Sequence, residues 1–94
     1  MKPNTLVPAH VTRTLTAALN ALGPARSVVE RALIAVYLRE TLEEVWERGG
    51  GGEAVYRVYR GLAMVLEVWD DPGLARRLLR RVVRWSGEWE EEQG

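Results

Sequence analysis

Val28-Val29-Glu30-Arg31-Ala32-Leu33-Ile34-Ala35-Val36-Tyr37-Leu38-Arg39-Glu40-Thr41-Leu42-Glu43-Glu44-Val45-Trp46 decides how the chain is organised. No Gly or Pro interrupts it, and the seven residues Ala32 to Leu38 carry no charge. On a helix turning by about 100° per residue, the apolar side chains of Val28 to Leu38 point in nearly every direction. A helix that is apolar all round is buried on all sides, in its own bundle or against a partner. After Leu38 the pattern narrows. Leu38, Leu42, Val45 and Trp46 take one side, and Arg39, Glu40, Glu43, Glu44 and Glu47 the other. The first half therefore reads as a central core helix and the second as an amphipathic one.

Working outward, Gly49 to Gly52 end this helix, because four glycines lose too much backbone entropy to remain helical. They read as a short flexible link. A phosphate-binding loop would need Gly-Lys-Ser/Thr after a strand, whereas Glu53-Ala54 follows here. Upstream there are two candidate starts. Pro24 can open the helix, or Ser27 with Glu30 three positions later can form a capping box. Gly23-Pro24 stops an earlier helix, in which Val11, Leu15, Ala18, Leu19 and Leu22 recur on one face.

Beyond the glycine link, Val55, Val58, Tyr59, Leu62, Val65, Leu66 and Trp69 make the inner face of a third helix. Gly61 lies in its middle, suited to a close helix crossing. Asp71 before Pro72 signals a fourth helix start, an N-cap followed by proline in the first turn. Leu74, Leu78, Leu79, Val82, Val83, Trp85 and Trp89 then share one half of the wheel, and Arg76, Arg77, Arg80, Arg81 and Arg84 the other. Ser86-Gly87 is expected to fray this helix, leaving residues 87–94 as an acidic tail.

The expected fold is thus all-α, a compact single-domain bundle of four helices at about 9–22, 25–48, 53–69 and 72–86, after an irregular lead-in over residues 1–7. No stretch alternates with the period of two that a strand needs.

Composition narrows the function classes. Thirteen basic and thirteen acidic residues cancel, so no global field recruits nucleic acid or membrane. There is no cysteine, which removes disulfides, thiolate metal sites and cysteine nucleophiles. The longest apolar run is far below the roughly 20 residues of a membrane span, and the first residues lack a signal-peptide core. The expected setting is cytoplasmic.

Few residues suggest chemistry. Glu40, Glu43, Glu44 and Glu47 line one helix side, but a dimetal bundle site also wants Glu-x-x-His motifs, and His10 is the sole histidine. No nucleophile and base are paired, so neither an enzyme nor a cofactor is expected. Arg76, Arg77, Arg80, Arg81 and Arg84 form a stripe that suits phosphates or an acidic partner, unless solvent or neighbours such as Glu88, four residues after Arg84, neutralise it. The third and fourth helices have the outline of a helix-turn-helix, although Asp70 and Asp71 would then face the DNA backbone. Finally, there is more apolar surface than one small core requires, around Ile34 and Leu38 and around Met64 and Val68. The expectation is a non-enzymatic interaction module, a homo-oligomer or an accessory subunit of a larger complex. The alternative is a nucleic-acid-associated protein that uses the arginine stripe.

Overall fold

A computed structural model of the chain describes residues 6–23 and 27–93. It contains four helices: α1 (Pro8–Leu22), α2 (Val28–Arg48), α3 (Glu53–Glu67) and α4 (Pro72–Gln93). The all-α expectation holds. Each helix packs against the next in the chain, and α1 returns to α4, so the four form a ring with α1 and α3 at one diagonal and α2 and α4 at the other. Neighbours run antiparallel. Thr12 of α1 lies beside Ser86 of α4, and Arg57 of α3 lies beside Glu88 of α4.

Short-range chemistry sets the helix ends. Of the two starts open to α2, the structure has Ser27, whose Oγ accepts the Glu30 backbone N–H at 3.0 Å. Pro24 lies outside the described residues. Asp71 caps α4, its Oδ1 accepting the Leu74 N–H at 3.2 Å. In the glycine link, Gly50 takes φ +79° and Gly52 φ +131°, left-handed backbone that a side chain would strain. α3 stops at Glu67, two residues short of the expected end, and a turn closes over it with the Trp69 N–H donating to the Leu66 carbonyl.

The core is built chiefly by α1, α3 and α4. Val11, Leu15, Val58, Leu62, Val65, Ala75, Leu79 and Val82 are fully enclosed. Gly61 brings α3 against α4 so closely that a Cβ there would stand 2.7 Å from the Trp85 ring and 2.8 Å from a Val82 methyl. The crossing read from the sequence is real.

The expected frayed tail is a correction. α4 continues through Ser86 and Gly87 to Gln93. Ser86 is buried and satisfied: its Oγ donates to the Val83 carbonyl at 2.7 Å and accepts from Thr12 Oγ1 at 3.0 Å. Trp89, one turn later, is buried in the core. Tertiary burial of the indole outweighs the roughly 1 kcal/mol that a mid-helix glycine costs against alanine.

The second correction concerns α2. Only Leu38, Thr41 and Val45 are buried along its 21 residues. Val28, Val29, Leu33, Val36 and Tyr37 are all exposed. So is Trp46, expected on the inner side but 66% exposed. α2 covers one side of the core and is not the centre of it. The inner face set by Leu38, Leu42 and Val45 continues back through Ala35, Ile34 and Arg31, all half-buried, while Val28, Val29, Leu33, Val36 and Tyr37 turn to solvent.

Candidate interaction surface

The four residues expected as an apolar interface do not come together. Leu38 is wholly buried in the chain's own core and cannot meet a partner. Val68 is half-buried against that core just after α3. Met64 lines an open groove between α3 and α4 with Tyr56, Arg60, Gly61 and Trp85. Ile34 lines another between α1 and α2, across the ring from the first.

The α1–α2 groove is the more apolar of the two. It is an open trough of about 320 Å³ lined by Ala17, Ala18, Ala21, Leu33, Ile34 and Tyr37. Small alanines on α1 leave the space, and the larger side chains on α2 form its wall. Leu33 on that wall is 65% exposed. Beside it, the outward side of α2 adds Val29 and Val36, so one apolar surface runs from the groove over the helix's back. Of the residues expected to carry the surplus, Leu38 is buried, whereas Ile34 and Met64 each line an open groove. The second half of the helix held the signal, because projecting the Leu38–Val45 face backward puts Ile34 inward and Val29, Leu33 and Val36 outward.

Besides Ile34, which packs against the core, Arg31 anchors this exposed half. The Arg31 guanidinium lies 4.8 Å from the centre of the Trp69 ring and donates to the Trp69 carbonyl. A cation over an indole face is attracted by the ring quadrupole, and the carbonyl belongs to the turn that ends α3. Arg31 therefore reads as a structural clamp between α2 and the α3–α4 turn. A smaller aromatic group, missed in the sequence, surrounds the glycine link. The rings of Trp46 and Tyr59 are 4.8 Å apart, and Tyr56 is 6.4 Å from Tyr59. Arg60 donates to the Tyr56 hydroxyl at 3.4 Å, and that contact raises its pKa above the ordinary arginine value.

All five arginines of the α4 stripe are exposed. They do not face one way. Arg76 leans over the end of α1, its guanidinium so near Gly23 that a Cβ there would lie 3.2 Å away, a position favoured by the negative end of the α1 dipole. Arg77, Arg80, Arg81 and Arg84 face outward. The expected local pair of Arg84 with Glu88 does not form, because Glu88 reaches across to Arg57 at 3.5 Å, the one ion pair among the described residues. The helix-turn-helix outline fails too. Contacts from Arg57–Glu88 to Gly61–Val82 show α3 and α4 lying side by side, without the steep crossing that motif requires.

Among the described residues, no group of three or more His, Cys, Asp or Glu is placed to hold a metal, and no helix is long and apolar enough to cross a membrane. His10 is exposed in the first turn of α1. No family model, curated protein or solved structure matches the chain.

Proposed function

We propose that the chain is a non-enzymatic protein–protein interaction module that docks through the first half of α2 and the adjoining α1 groove. The observation that carries this reading is the exposure of Val28, Val29, Leu33, Val36 and Tyr37 on one short helical segment. Single exposed apolar residues are ordinary on monomers, whereas contiguous patches mark contact sites. Docking releases water from this area, and Tyr37 offers the kind of aromatic anchor that dominates interface energetics.

The experiment compares the wild-type chain with Leu33→Glu in extracts of the cells that make it, by native size fractionation. The wild-type chain is expected in a species larger than the free chain, and the variant in the free fraction. Co-migration of both as free chain would sink the proposal.

A second reading rests on a different observation. Arg77, Arg80, Arg81 and Arg84 are exposed and form no ion pair among the described residues. They occupy the middle of α4, beyond the first turn, so the helix dipole does not account for them. A polyanion, nucleic acid or an acidic protein, would be held by them in a salt-sensitive way. Binding to a nucleic acid that survives Arg77, Arg80 and Arg84→Glu would remove this reading.

A further inference from the structure

The outward side of α2 carries a more specific message than its exposure. Val29, Leu33, Val36, Glu40, Glu43 and Glu47 follow one another at alternating spacings of four and three residues. That is the seam spacing of a coiled coil, in which such residues meet a partner helix knob into hole. All six are exposed. The first three are apolar and the last three are carboxylates, so the seam changes character at Glu40.

We infer that this seam binds a second copy of the chain, with the two α2 helices antiparallel and crossing near Leu33. The inference rests on the interaction-module reading above and names its partner. Three observations bear on the partner and its orientation. The first is charge. A parallel pairing would stack Glu40, Glu43 and Glu47 against themselves, and like charges meeting in a seam repel. An antiparallel pairing centred on Leu33 instead sets Val29 against Val36 of the second copy. It also brings Glu40 level with the start of the other α2, whose free backbone N–H groups carry the positive end of the helix dipole.

The second observation is shape. The trough beside the seam is floored by Ala17, Ala18 and Ala21 and needs an uncharged helical ridge to fill it. The exposed Leu33, Val36 and Tyr37 form such a ridge along the α2 wall of the trough. A two-fold axis therefore fills both troughs with both ridges at once, the self-complementarity that a closed dimer requires. The third is net charge. At zero, the chain has no long-range repulsion between copies to overcome.

The test uses the purified chain in sedimentation velocity, together with disulfide trapping, for which the absence of native cysteine leaves a clean background. The wild-type chain is expected to be a dimer. Leu33→Glu, which places two carboxylates at the crossing, is expected to weaken it by about a hundredfold or more, with helicity unchanged because the site is exposed. Leu33→Cys is expected to trap a covalent dimer under mild oxidation, and Glu40→Cys to trap none. A linked Glu40→Cys dimer, or a dimer indifferent to Leu33→Glu, would overturn the arrangement. So would a wild-type chain that stays monomeric across the micromolar range. In that last case the module reading stands if Leu33→Glu still frees the chain from its larger species in cell extracts, and falls with it if no such species exists.

Discussion

The two longest helices have opposite fates. α4 is strongly charged, with five arginines and four glutamates between Arg76 and Glu92, yet Ala75, Leu79, Val82, Ser86 and Trp89 form an unbroken buried line along it. α2 holds the most apolar stretch of the chain, yet none of its residues from Val28 to Tyr37 is fully buried. Apolar content and burial are therefore separate properties. A helix is drawn into a core when its apolar residues recur on one side and can all face inward together. α4 meets that condition. In α2 the residues of the first half diverge, so only one strip can face the core and the rest stays outside.

The largest effect that would probe this contrast is at the end of α4. Trp89→Ala removes a buried indole from a segment that sequence alone assigns to a frayed tail. Its cost is expected at about 3–5 kcal/mol, the usual range for core Trp→Ala, read from urea denaturation. Loss of less than about 1 kcal/mol would mean the last turns of α4 are peripheral. A smaller effect is expected at the α3–α4 crossing. Gly61→Ala gains about 1 kcal/mol of helix propensity but drives a Cβ into Val82 and Trp85, where overpacking costs about 1–3 kcal/mol. Val82 is fully enclosed and branched at Cβ, so it has little room to yield. Net destabilisation is expected in thermal melts. A stabilised variant would show that the crossing can relax. The smallest effect is at the exposed half of α2. Leu33→Ala is expected to change the stability of the dilute chain by no more than about 0.5 kcal/mol, as surface changes do.

Most of the helical plan was legible because it depends on local chemistry. Asp71-Pro72, Ser27 with Glu30, and the glycine link each act within a few residues of themselves. The inner faces of α1 and α3 follow from periodicity and agree with the observed core, as do Leu79, Val82 and Trp89 of α4, where the buried Ala75 and Ser86 complete a face that periodicity of large apolar residues did not mark. The errors arose where the outcome depends on distant contacts. Ser86-Gly87 looks like a helix end until Thr12, far away in sequence, supplies a hydroxyl to Ser86 and the bundle encloses Trp89. Leu38 looks like surplus until α1 and α3 are in place to cover it. Likewise, Glu88 could reach Arg84 within its own helix, and only the packing of α3 alongside offers it Arg57. The apolar surplus itself could be read from the sequence. Its direction could not be read until one inner residue of α2 was fixed.

The hydrogen bond between Thr12 and Ser86 also bears on how the chain folds. It spans 74 residues, whereas α3 and α4 meet across a turn of a few residues. By the logarithmic dependence of loop-closure entropy on length, joining α1 to α4 directly from an open chain costs roughly 2–3 kcal/mol more than closing a short turn. The α3–α4 hairpin, drawn tight at Gly61, is thus the cheaper first step, and it presents the surface on which α1 can land. The seam between α1 and α4 then acts as a latch. It closes a far longer loop than the hairpin does, and it ties the beginning of the described chain to its end.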